Sequence, residues 1–206
     1  MSSTTQRVAG ALFRSGCIKF GTFTIKSGAQ SPYYIDMARL LASPNDFCII
    51  ADIAAEKIKQ IIKTDHVVKL ASIELKGALI VPCIASRLEL PCVIVRKETK
   101  VYGVTGRVAG ADVEKGDEIL FFDDVVSEGL SKIEGVKPLQ ELGAIVKHLL
   151  VVVDREQGGK ENLEKLGFKV HALASISEVV RELLQNGNIS KAQSEAVLNY
   201  INKQIA

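Results

Sequence analysis

The chain has 206 residues, enough for one domain of ordinary size with its own core. With 47% hydrophobic and 24% charged residues it reads as a folded globular protein, and 5% aromatics without tryptophan leaves core filling to Val, Ile, Leu and Ala. A net charge of +2 is too weak a bias to imply bulk nucleic-acid binding, no apolar run approaches the ~18 residues of a membrane span, and a small anionic ligand held by a few placed cations fits better.

The first twenty residues carry Arg7, Arg14 and Lys19 with no apolar block between them, so no secretory leader is expected. Residues 4–15 have helical spacing and stop before Gly16. Residues 20–28, FGTFTIKSG, alternate as a strand does and end at glycine. Residues 46–63 form a helix with Ile49, Ile53, Ile58 and Ile62 among its apolar positions. Short apolar runs then alternate with helical stretches: strand 67–73, helix 77–88, strands 92–96 and 118–122 with a polar, glycine-bearing segment between them. Helix 132–142, strand 146–153, helix 160–166 and strand 170–174 follow. The tail, 177–205, reads as two helices broken at Asn186-Gly187-Asn188, with Ser190 and Gln193 as a capping box for the second.

Apolar runs such as ILFF and HLLVVV, separated by helices, imply an α/β fold: a mainly parallel central sheet flanked by helices on both faces. In such sheets a ligand sits at the carboxyl ends of the strands. No repeat, low-complexity tract or linker divides the chain, so residues 1–206 are expected to form a single domain. The four cysteines, Cys17, Cys48, Cys83 and Cys92, form no CxxC pair and read as reduced packing residues, which points to the cytoplasm. His66, His148 and His171 flank strands singly and without ligand spacing, so they read as structural, and no protein-held metal is expected.

Three segments could carry chemistry. In 118–135, EILFFDDVVSEGLSKIEG, an apolar strand ends in Asp123 and Asp124, and Ser127-Glu128-Gly129-Leu130-Ser131 leads into a helix. A small-residue loop at a helix start offers N–H groups and hydroxyls to a phosphate, and the acids before it would need sugar hydroxyls or a substrate-borne metal as partners. The same pattern also suits a plain strand-to-helix turn with a solvated acidic pair. In 95–103, VRKETKVYG, Arg96, Lys97 and Lys100 crowd together before Gly103, Gly106 and Gly110, as a solvated loop or as a mobile cover for a polyanion. In 20–36, FGTFTIKSGAQSPYYID, Lys26 sits between a strand-like run and a glycine, with Tyr33 and Tyr34 after it.

DDVVSEGLS resembles the signature with which type I phosphoribosyltransferases bind phosphoribosyl diphosphate (PRPP), and RKETKVYG resembles the mobile catalytic loop of the orotate phosphoribosyltransferases. FGTFTIKSGAQSPYYID is similar to that family's N-terminal signature. Lys76-Gly77 in ASIELKGALI is similar to its pyrophosphate-binding turn, and VVVDREQGG to its V-D-R-x-x-G segment. The five motifs run in family order from about residue 13 to 175. The resemblance implies the type I phosphoribosyltransferase fold with a small N-terminal hood and C-terminal helices. It also implies transfer of ribose 5-phosphate from PRPP to orotate, giving orotidine 5′-phosphate and pyrophosphate, with Mg²⁺ carried mainly by PRPP.

On the same resemblance Lys100, Lys97 and Lys26 are catalytic, and Arg96 and Lys76 support the diphosphate. Asp123 and Asp124 take the ribose hydroxyls, and Ser127, Glu128, Gly129, Leu130 and Ser131 hold the 5-phosphate. Lys26, Tyr33, Tyr34, Ser127 and Arg155 surround orotate, Arg155 because a guanidinium grips a carboxylate with two parallel hydrogen bonds. A homodimer with shared active sites is the implied assembly. The chain departs from the family pattern at Ser72, where glycine is usual, at Tyr102, where many members carry histidine, and at Glu128 and Leu130. Transfer to another base, or a regulatory PRPP-binding role without catalysis, are the alternatives.

Overall fold

The computed structural model describes residues 3–25, 28–100 and 106–205, without the side chains of Lys100, Gln204 and Ile205. Helix α1, Thr4–Arg14, is capped by Ser3, whose hydroxyl accepts the Gln6 N–H, and ends two residues before Gly16 at φ 69°. The expectation of a single strand over 20–28 is corrected. Strand β1, Ile18–Thr24, turns back and pairs antiparallel with β2, Gln30–Ile35. Ile25 N–H donates to the Ala29 carbonyl at the turn, and Gly28 takes φ 84° there.

A 3-10 turn, Met37–Ala42, leads to α2, Pro44–Ile62. The alternating part follows: β3 Lys69–Ile73, α3 Lys76–Leu88, β4 Cys92–Lys100, β5 Gly106–Gly110, β6 Ile119–Val126, α4 Leu130–Glu141, β7 His148–Asp154, α5 Gly159–Lys165 and β8 Lys169–Ser175. Helix α6, Ile176–Gln185, and helix α7, Lys191–Ile205, close the chain. The Ser190 and Gln193 box is present: Ser190 N–H donates to Gln193 Oε1 at 2.9 Å, and Gln193 N–H to Ser190 Oγ at 3.2 Å. Among the described residues no helix is long and apolar enough to cross a membrane.

The main sheet runs β5-β4-β3-β6-β7-β8, parallel except for antiparallel β5. Alternate side chains of β6 enter two different cores. Leu120 and Phe122 join the core built with α1, α2, α3, α6 and α7, while Ile119 and Phe121 join Val136, Leu139 and Leu163 on the other face. Both faces being covered, the strands are continuously apolar rather than alternating. The segment expected to be a polar connection contains β5, which as an edge strand needs no apolar run to pair.

Strand β6 extends past the expected end at 122, because β7 continues the ladder through Asp123↔Val151, Val125↔Val153 and Val126↔Asp154. Both acids therefore lie inside the strand. Cys48 is exposed on α2, so the packing role read for all four cysteines does not hold for it; Cys17 is buried. His148 and His171 are not single: their rings stack 5.3 Å apart, with Nδ1 of His148 3.0 Å from Nε2 of His171. Burial and the neighbouring ring push His171 down to about 4.

Candidate active site

Strand order reverses between β3 and β6: β4 and β5 lie to one side of β3, whereas β7 and β8 lie beyond β6. A crevice opens outside the carboxyl ends of two such strands. Here it is a cavity of about 440 Å³ lined by Glu74, Lys76, Lys97, Asp123, Asp124 and Ser131, with Lys132 also on its wall. Lys76, Lys97 and the Asp123, Asp124, Ser127 and Ser131 stretch, three separate parts of the sequence, thus meet in one hollow.

The acidic pair is deeply set, with Asp123 5% and Asp124 7% exposed. Asp123 Oδ1 accepts the Asp124 N–H at 2.9 Å, and its Oδ2 lies 2.7 Å from the Lys132 ammonium. Burial, and then the charge of Asp123, push the Asp124 carboxyl up to about 6. The folded chain therefore holds this proton more tightly than the unfolded chain, and Asp124 lowers stability as pH rises from 3.8 through about 6. Asp124→Asn is expected to raise Tm at pH 8 and to do so much less at about pH 4, close to the unfolded value. The gain at pH 8 should be on the order of 2 kcal/mol; equal gains at both pH values would contradict it.

Helix α3 brings Lys76 to the cavity because Gly77 permits close approach. A Cβ on Gly77 would lie 2.9 Å from Asp123 Cα and closer still to Asp123 Oδ1 and Ser72 Oγ. Ser72, the departure noted in the sequence, thus packs under the helix start rather than widening the turn, whose Glu74–Leu75 peptide is cis. Glu74 accepts the Lys97 N–H at 3.2 Å and so ties the end of β3 to β4. Lys76 Nζ is 3.2 Å from Asp36 Oδ1 and 5.8 Å from the centre of the Tyr34 ring.

The loop after β6 turns at Gly129, whose φ of 93° supplies the left-handed position. Leu130 needs no positive φ because it already starts α4, and it is 65% exposed. Glu128 is also exposed. The segment after β7 braces this loop. Arg155 N–H donates to the Val126 carbonyl at 2.9 Å, and Gly159 N–H to the Ser127 carbonyl at 2.8 Å. A Cβ on Gly159 would stand 2.8 Å from the Ser127 carbonyl carbon, so only glycine lets the two loops touch.

Arg155 Nε donates to the Tyr33 hydroxyl at 3.1 Å, with the guanidinium 5.0 Å from the ring centre. Tyr33 is 0% exposed and packs edge-on against Tyr200, 6.2 Å away. The expectation that Tyr33 walls a bound base is corrected: a buried ring reaches no ligand, and it holds Arg155 instead. Tyr34, 43% exposed beside Phe23, keeps an open face. Arg96 donates to the Gly106 carbonyl at 3.0 Å and lines a neighbouring hollow with Glu74 and Lys97. Lys26, Tyr102 and Gly103 lie outside the described residues, as does the side chain of Lys100, whose backbone closes β4 opposite Gly106.

Two charged residues escaped the sequence reading. Lys132 shares a helix face with Val136 and Leu139 at i+4 and i+7, a placement that could have flagged it as buried. Glu156 accepts the Ser177 N–H at 2.8 Å and docks the start of α6 onto the turn that carries Arg155.

Residues 36–183 match the phosphoribosyl transferase domain family. An orotate phosphoribosyltransferase of Pyrococcus horikoshii is 42% identical over 184 residues, 89% of this chain and 95% of that protein. Among solved structures, the orotate phosphoribosyltransferase of Aeropyrum pernix superposes with a TM-score of 0.73 at 27% identity, covering 89% of this chain and 99% of its own. The UMP synthase of Leishmania donovani reaches a TM-score of 0.86 at 29% identity; the match covers 97% of this chain but 42% of that longer protein. The chain belongs to the phosphoribosyl transferase family, and within it to the orotate phosphoribosyltransferases.

Proposed function

We propose that this chain, acting as one domain, transfers ribose 5-phosphate from PRPP to orotate, releasing pyrophosphate and forming orotidine 5′-phosphate. The observation that carries the reading is the single cavity in which the acidic pair, the Ser127–Ser131 loop and the Lys76 and Lys97 cations converge. The relatives at this level of identity bear the name of that reaction.

In this reading the sugar hydroxyls meet the acidic pair, and the 5-phosphate meets the N–H groups and hydroxyls of residues 127–131. Breaking the bond between C1 of the ribose and the diphosphate oxygen leaves positive charge on the sugar and an electron pair on the departing diphosphate. Lys97, Lys76 and the loop lysine Lys100, with Arg96 in support, stabilise that departing charge. Orotate forms the new bond to C1 through its ring nitrogen as the N–H bond there breaks, the proton passing to the departing diphosphate or to solvent. The carboxylate beside that nitrogen already carries negative charge, so no strong base is required. Arg155, propped on Tyr33, suits the orotate carboxylate, and Lys26 and Tyr34 border the same base.

Both Asp123 oxygens already have partners, Asp124 N–H and Lys132, so the cavity suits Mg²⁺ delivered on the diphosphate. When bound there, Mg²⁺ supplies charge screening of the leaving group. A homodimer in the cytoplasm, in which one subunit's mobile loop serves its neighbour's site, completes the reading. The direct test follows orotate through its ultraviolet absorbance with and without PRPP and Mg²⁺. Loss of orotate that requires PRPP is the expected result. PRPP binding without orotate consumption would favour the regulatory alternative.

A further inference from the structure

Among the described residues, Lys132 is the only buried lysine or arginine, 4% exposed. An ammonium taken out of water costs several kcal/mol unless it is paired and hydrogen-bonded. Its helix position does not call for a cation: Val136 and Leu139 on the same face pack into the core, and an aliphatic side chain would serve there equally. The reason for the charge must lie at the tip of the side chain. There Nζ stands 2.7 Å from Asp123 Oδ2 and 3.1 Å from Ser131 Oγ.

Those two contacts join the two halves of the cavity. Asp123 belongs to β6 and Ser131 to the first turn of α4, with the exposed Glu128 and the turn at Gly129 between them. The other Asp123 oxygen is held by the Asp124 N–H, so the lysine also orients the acid pair as a unit. It further offsets negative charge in a hollow lined by Asp123, Asp124, Glu74 and Glu134, which is to receive a polyanion.

We propose that Lys132 is a positioning residue for the phosphoribosyl donor. Through Asp123 and Ser131 it sets the distance between the carboxylates that take the ribose hydroxyls and the loop that takes the 5-phosphate. This rests on the donor-binding reading given above. A ligand that spans both halves gains from the fixed spacing, whereas a ligand that occupies the loop alone gains little.

The test compares calorimetric binding of ribose 5-phosphate, which spans both halves, with inorganic phosphate, which fits the loop alone. Wild type, Lys132→Met and Lys132→Arg are titrated, and KM and kcat are measured for PRPP and orotate. For Lys132→Met, ribose 5-phosphate affinity is expected to fall about tenfold or more and KM for PRPP to rise in parallel. Phosphate affinity, kcat and KM for orotate should each stay within about threefold, and Lys132→Arg should recover part of the loss. Should Lys132→Met not fold, Lys132→Gln, which keeps a donor toward both partners, is judged by the same criteria. A lowered Tm with unchanged ribose 5-phosphate affinity would reduce Lys132 to a structural ion pair and overturn the proposal. Equal losses for both probes would overturn it too, since they would mark a direct phosphate contact. Failure of the wild type to bind ribose 5-phosphate or PRPP would instead sink the donor-binding reading.

Discussion

Replacing Lys100 by alanine is expected to lower kcat by about 100-fold while KM for orotate stays close to its original value. Lys100 ends β4, and the RKETKVYG stretch around it resembles the loop that closes over the leaving diphosphate. Negative charge on that diphosphate grows as the bond to the sugar breaks. A cation that meets it there acts on the transition state more than on bound substrate, so the loss falls in kcat. A variant turning over at a near-normal rate under saturating substrates would remove Lys100 from this role. The proposed assembly adds a second readout. Mixing Lys100→Ala chains with Asp123→Ala, Asp124→Ala chains should restore some activity, because one site in the mixed dimer would combine an intact loop with intact acids. A verified mixed dimer without rescue would count against shared sites.

Gly77→Ala is expected to cost about 100-fold in kcat/KM together with a stability loss of roughly 1–3 kcal/mol. The added methyl would meet the Asp123 Cα at 2.9 Å, with the Asp123 carboxylate and the Ser72 hydroxyl nearer still. Real Cβ atoms do not approach backbone so closely, and β6 cannot yield freely because β3 and β7 pair with it on either side. The start of α3 must therefore move away, taking Lys76 from its place opposite the acids. Displacement of a charged group by ~1 Å is enough for a loss of this size. Wild-type activity with a lowered Tm would show that the helix start can shift without consequence for the chemistry.

Expectations built from neighbours in sequence survived well. The alternation of apolar runs with helical stretches is a local periodicity, and it placed β3, β7 and β8 and the helices between them within a few residues. The Ser190 and Gln193 box closes over three residues, so its partners stand side by side in the sequence. The stretch from Asp123 to Ser131 is equally compact, and its acids and small-residue loop are legible as a ligand-binding pattern before any fold is drawn.

What escaped depends on partners distant in the chain. Strand β5 is an edge strand recognisable only by the neighbour it pairs with, and β6 runs through both acids because the β7 ladder continues beside it. A ladder is a property of two strands, and the sequence of one cannot declare its length. Tyr33 looks like a binding-site aromatic until α7 brings Tyr200 against it and leaves its hydroxyl to Arg155. Lys132 looks like one more surface lysine until α4 folds back and sets its ammonium on Asp123. The sequence by itself determined the α/β architecture and the chemical types available to the site, because periodicity and short motifs are local. Only the tertiary structure decided which charges are buried, which are paired and which face the cavity, because burial and pairing are set by the groups that packing brings alongside.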